Sequence, residues 1–179
     1  VFYFFKDRYL KTAVAILLIA ASVNAVLTYE RNKVWKSEYA LWADCLQKSP
    51  NKERSNENFG FALYNLGKFK EAIHYYNRAI SISPNYAGAY NNRGTAYARL
   101  GNYVAAIESY DLAIRLKPDA PIYYFNKAMA YRDLGRHEKA IEILDQAIQK
   151  KPDYIEAFNN KGAIYTAIGK FEEAIAVYN

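Results

Sequence analysis

The sequence predicts an all-α protein: a solenoid of stacked helix pairs preceded by one membrane-spanning helix. Three observations carry that prediction. First, the stretch Ala87–Ala120 meets a relative of itself when slid by 34 residues in either direction, at Glu53–Tyr86 and at Pro121–Tyr154, and Ile155–Asn179 begins a further copy. A fixed period of this length marks a repeat architecture. Second, each copy holds two runs of helical periodicity punctuated by one glycine and closed by one proline, which is a helix–turn–helix unit. Third, Thr12–Tyr29 is free of charged residues over 18 positions.

Composition agrees. The chain is 52% hydrophobic and 23% charged, unlike a disordered chain. The net charge of +6 comes from Lys and Arg spread among acids, which argues against a dedicated nucleic-acid surface. The 18 tyrosines fall mostly at recurring positions, so the repeat accounts for them. One cysteine, Cys45, excludes an internal disulfide framework and a cysteine-based zinc cluster. The chain opens on Val1 and ends inside an expected helix at Tyr178–Asn179, and it reads as a piece of a longer protein.

Residues 1–9 form the end of a preceding segment, with the apolar run Val1–Phe5 interrupted by Lys6-Asp7-Arg8. Residues 10–29 form the expected transmembrane helix. Eighteen uncharged residues at 1.5 Å each give about 27 Å, close to the hydrocarbon thickness. Tyr9 and Tyr29 stand at its ends, where amphipathic rings favour the interface. The alternatives are a signal peptide cleaved near Val23-Asn24-Ala25 and a buried soluble helix. Charge does not orient the span: Lys6, Arg8 and Lys11 precede it, and Arg31, Lys33 and Lys36 follow.

Residues 30–52 read as a juxtamembrane helix over Glu30–Pro50 and half a degenerate repeat. Trp35, Leu41, Trp42, Cys45 and Leu46 share one helical face, and Pro50 stops the helix. Cys45 stands where later copies have Ala79, Ala113 and Ala147, so a small packed side chain is expected there. From Glu53 the copies run without linkers: 53–86, 87–120, 121–154 and the partial 155–179. The first helix of each contains a small residue permitting close approach: Gly60, Gly94, Ala128, Gly162. A glycine turn follows at Gly67, Gly101, Gly135 and Gly169. The second helix opens on Phe69, Tyr103, His137 or Phe171 and carries Ala72, Ala106, Ala140 or Ala174, then Tyr76, Tyr110, Leu144 or Tyr178. Pro84, Pro118 and Pro152 close it. One pair of helices is too small to bury its own apolar face, so neighbours stack.

This pattern resembles the tetratricopeptide repeat. In the second copy the resemblance rests on Tyr90, Gly94, Ala96, Tyr97, Gly101, Tyr103, Ala106, Tyr110, Ala113 and Pro118. Departures are mild: Asn56 in place of an aromatic, Ala128 in place of glycine and His137 in place of an aromatic. The join, with a span followed by Arg31-Asn32, Trp35, Leu41-Trp42 and Pro50-Asn51, is similar to the C-terminal part of polytopic transmembrane-and-tetratricopeptide-repeat O-mannosyltransferases. That similarity implies repeats on the lumenal or periplasmic side and a catalytic domain upstream of this chain.

The first resemblance implies a right-handed superhelix whose first helices line a concave groove, with a protein or extended peptide as partner. Position six of each copy, a groove position, is asparagine throughout: Asn58, Asn92, Asn126, Asn160. Asparagine inside a helix costs about 0.6 kcal/mol relative to alanine. A primary amide offers a donor and an acceptor, so four in register can bond the backbone of an extended peptide, or bond neighbouring helices. The series resembles the asparagine ladder of peptide O-GlcNAc transferase. Asn91 and Asn159 extend it at position five; Phe61, Tyr64, Phe125 and Met129 add apolar lining, and Arg99, Arg132 and Asp133 add charge. Some relatives clamp a terminal carboxylate with lysines, but Glu57, Asn91 and Phe125 occupy the first clamp position here. No catalytic constellation, cofactor motif or metal spacing stands out, and the expected partners are protein or peptide in the groove and lipid along residues 10–29. A structural spacer or self-associating solenoid at the membrane is the remaining alternative, with the oligomeric state unknown.

Overall fold

The computed structural model describes residues 2–34 and 36–178; Trp35 lies outside them, as do the side chains of 2–11, 31, 33 and 34. The described residues form ten helices and no strand. They divide into two units, residues 1–44 and 45–179.

In the first unit, α1 runs unbroken over Phe2–Val34. The boundaries expected near residues 10 and 30 are therefore not helix breaks. Thr12–Glu30 has a mean hydropathy of 1.9 and no buried residue, so α1 is long and apolar enough to cross a membrane. The helix expected over Glu30–Pro50 is two pieces. α2 starts afresh at Glu38–Lys48 because Ser37 caps it: the Ser37 hydroxyl accepts from the Ala40 N–H at 3.1 Å. Leu41, Trp42, Cys45 and Leu46 are half-buried.

The second unit is the helix-pair solenoid. First helices are α3 (Glu53–Asn65), α5 (Ala87–Arg99), α7 (Pro121–Asp133) and α9 (Ile155–Ala167). Second helices are α4 (Phe69–Ile82), α6 (Tyr103–Leu116), α8 (His137–Lys150) and α10 (Phe171–Tyr178). Both series step by 34 residues. Each first helix ends in one hydrogen-bonded turn. In the first copy the Lys68 N–H reaches back to the Leu63 carbonyl at 2.9 Å, and Gly67 takes φ of 75°, which a side chain would strain. The same turn recurs at Gly101, Gly135 and Gly169.

Within a copy, the two helices meet at a small-residue contact. A Cβ built on Gly94 would lie 2.7 Å from the Tyr110 ring and 3.1 Å from the Ala106 carbonyl oxygen; Gly60 stands in the same relation to Tyr76. The third copy holds Ala128 there, and it also holds Leu144 in place of the tyrosine; both are fully buried. The extra methyl and the lost ring compensate each other, so Ala128 is not a defect. Asn56 has a similar explanation. It is fully buried and its Nδ2 donates to the Pro50 and Lys52 carbonyls at 2.8 and 2.9 Å. In the third copy the Tyr124 hydroxyl makes the matching bond to the Pro118 carbonyl at 3.0 Å. A short amide thus replaces a long phenol at the same task.

Successive copies are joined on their outer side by pairs 16 residues apart. Arg93 donates to Asn77 at 2.9 Å, Lys127 pairs with Asp111 at 2.6 Å and Lys161 with Asp145 at 2.5 Å. Each links a first helix to the second helix of the preceding copy. In the two ion pairs the lysine is largely buried and only the aspartate is exposed, so solvent screens them in part and their contribution stays modest. Burial of the alanine, tyrosine and leucine seams supplies most of the stacking energy.

Candidate functional site

The side chains at positions five and six lie on the first helices, spaced by the repeat. Asn91, Asn92 and Asn126 do not stand apart as isolated amides. Asn92 Nδ2 donates to Glu57 Oε1 at 3.0 Å, joining the second copy to the first. Asn91 Nδ2 donates to Asn92 Oδ1 at 3.2 Å. Asn126 Nδ2 donates to Asn91 Oδ1 at 2.9 Å, joining the third copy to the second. Asn160 lies beyond this run: its Oδ1 accepts from Arg132 at 3.1 Å and its Nδ2 caps the Glu156 carbonyl at 2.8 Å. Asn159 is exposed. Asn58 is half-buried and makes no side-chain hydrogen bond among the described residues.

Glu57 terminates the run and is a residue that sequence reasoning used only to exclude the carboxylate clamp. Its second oxygen, Oε2, accepts from the Tyr86 hydroxyl. Burial pushes the Glu57 carboxyl above its ordinary value, partly countered by the Tyr86 bond and by the Arg54 charge. Burial, and then the Glu57 bond, push the Tyr86 phenol up to about 12. Tyr86 closes the first copy, as Tyr154 closes the third, and Tyr154 packs on Phe125 with ring centroids 5.4 Å apart. The last residue of a copy thus meets its fifth: a polar pair in the first, an aromatic pair in the third. A tyrosine at position 34 beside an acid at position five was the available signal.

The apolar lining divides in two. Phe61 is 42% exposed and stacks on Tyr64, with centroids 6.4 Å apart and planes 10° from parallel. Arg99 lies over Tyr64 and Phe69: its guanidinium is 5.7 Å from the Tyr64 ring centre and 4.9 Å from the Phe69 ring centre, and it donates to the Tyr64 hydroxyl at 3.3 Å. Phe125 and Met129, by contrast, pack against the buried cluster of Tyr124, Leu144 and Tyr154 and are only partly accessible. Arg132 is held by Asp133 at 2.8 Å as well as by Asn160. The structure therefore brings Asn91, Asn92 and Asn126 together, and Phe61, Tyr64 and Arg99 together. It leaves Asn58 and Asn159 outside both groups. No group of His, Cys, Asp and Glu placed to hold a metal occurs among the described residues.

The fold has known counterparts. A tetratricopeptide-repeat model matches residues 59–121 and a second TPR-repeat model matches residues 128–169. Among curated proteins, the chain is similar to Protein O-mannosyl-transferase Tmtc3 of Drosophila melanogaster, 36% identical over 76 residues. That stretch is 42% of this chain and 8% of the relative, so the chain spans a small part of its length. Among solved structures, MamA superposes with a TM-score of 0.70 at 26% identity, covering 76% of this chain and 80% of MamA. The first TPR of Spaghetti (RPAP3), solved with the HSP90 peptide SRMEEVD, superposes with a TM-score of 0.63 at 25% identity, covering 66% of this chain and 94% of that one. Helix pairs stepping by 34 residues, the recurrent glycine turn and two family models over more than half of the sequence agree, and the chain belongs to the tetratricopeptide-repeat family.

Proposed function

We propose that this chain is a membrane-tethered scaffold whose repeats bind an extended polypeptide along the first-helix groove. The observation that supports this most directly is Asn58. Its three counterparts at position six have internal partners, which is reason enough for an amide there. Asn58 has none among the described residues, yet it carries the same helix-propensity cost. Phe61, one turn further along α3, and its partner Tyr64 offer the exposed aromatic surface that dominates peptide and protein contacts. The RPAP3 repeats, solved with a peptide in place, support the same mode of use. A peptide ending in clustered carboxylates is disfavoured here, because it would meet Glu57 as a like charge.

Asn58→Ala tests the reading. It removes no internal bond and gains helix propensity, so the melting temperature should stay level or rise slightly. Affinity for peptides selected from an array of short, unstructured sequences should fall several-fold, measured by fluorescence anisotropy on the full chain in detergent micelles. Unchanged affinity would remove Asn58 from the groove.

The likeness to Tmtc3 favours a second reading, in which the repeats are the accessory arm of a polytopic membrane glycosyltransferase and hold its acceptor polypeptide on the extracytoplasmic side. In both readings the arm is non-catalytic and α1 is the anchor.

A further inference from the structure

The amide run across the first three copies has a direction. Asn126 donates to Asn91, Asn91 to Asn92, and Asn92 to Glu57. A primary amide can turn over and exchange its donor for its acceptor, and a row of amides bonded only to each other keeps its hydrogen bonds in either sense. An ionised carboxylate cannot turn over, since it only accepts. We propose that Glu57 is a positioning residue: it fixes the donor sense of the Asn92–Asn91–Asn126 relay, and so sets which hydrogen-bonding atoms the groove presents across three copies.

The surroundings of Glu57 hold it to this task. Oε2 accepts from Tyr86, which leaves Oε1 turned to Asn92. Gly88 makes room: a Cβ at that position would stand 3.1 Å from Oε1. Arg54 is the cation in its neighbourhood and favours the charged form. With the sense fixed, one amide hydrogen of each asparagine points along the relay and the second remains for a ligand. Asn126 Oδ1, at the far end, has no partner among the described residues. A polypeptide laid across these copies therefore meets donors first, suited to main-chain carbonyls, and one acceptor at the third copy. This functional half rests on the peptide-groove reading above; the relay itself does not.

The test is nitrogen–proton NMR of the asparagine side-chain amides in the full chain, in micelles and without peptide. Glu57→Gln can donate or accept, so it releases the sense. The Asn126 side-chain resonances should shift or double, although Asn126 lies two copies away, while the α7 backbone amides stay in place. Asn91→Ala cuts the relay, and in that background Glu57→Gln should leave Asn126 unmoved. Tyr86→Phe keeps the acceptor and should also leave it unmoved. Asn126 resonances that ignore Glu57→Gln, or that move equally with the relay cut, would overturn the proposal. Array peptides that bind the wild type should bind Glu57→Gln several-fold more weakly. If no array peptide binds the wild type, the groove reading fails while the NMR result still decides the relay.

Discussion

Gly94→Ala should lower the stability of the repeat unit by about 1–3 kcal/mol, the usual cost of forcing a methyl into a filled site. Tyr110→Leu should lower it by a similar amount. The two together should cost clearly less than their sum, with a coupling of at least about 1 kcal/mol, as expected of residues in direct contact. The methyl at position 94 would meet the Tyr110 ring at 2.7 Å, and the helix backbone on the other side prevents retreat. The third copy already carries the double replacement as Ala128 and Leu144, fully buried within two unbroken helices. Tyr110 also donates to Thr95 at 3.2 Å, so its removal loses a bond that leucine cannot restore, and recovery will be incomplete. Urea unfolding followed by far-ultraviolet circular dichroism measures all three variants. Strict additivity would show that the ring does not oppose the methyl.

A second large effect should come from α1. Ile19→Arg with Val23→Arg places two guanidinium groups near the middle of Thr12–Glu30. Each costs about 2.5–3.5 kcal/mol at a span's centre on insertion scales, which together is enough to convert full membrane retention into loss of it. The wild-type chain should stay with membranes after carbonate extraction at high pH, and the double variant should be released. Release of the wild type would leave the exposed Leu17, Leu18 and Ile19 to a different partner and remove the anchor from the proposed function.

Much of the fold was legible because it is written four times. A glycine recurring at 67, 101, 135 and 169 can be read as a turn from spacing alone, and all four have positive φ near 75°. The small-residue seam was legible for the same reason, although the tie between Ala128 and Leu144 requires comparing two positions at once. What escaped reading is what occurs once. Ser37 caps α2 and divides a helix whose periodicity looks continuous. Asn56 looked like a mild departure, yet it reproduces a bond that Tyr124 makes with a different side chain. Glu57 was visible only as an obstacle to the clamp of some relatives, because its partners Asn92 and Tyr86 lie 35 and 29 residues away. The outer pairs could have been found: an offset of 16 residues recurs at 77 and 93, 111 and 127, and 145 and 161.

Those outer pairs give the array a grammar. Each interior copy offers an oxygen acceptor to its successor and a cation to its predecessor. A copy duplicated or exchanged at an interior junction finds a fitting neighbour on both sides. The first copy does not follow this rule, because the residue at the cation's place is Phe59, nearly buried and set edge-on against Tyr75 at 4.7 Å. Moved to an interior junction, it would face an aspartate with a phenyl ring. Lengthening between later copies therefore keeps these pairs matched, and lengthening ahead of the first does not, so growth away from Glu57 preserves both the pairs and the polar relay anchored there.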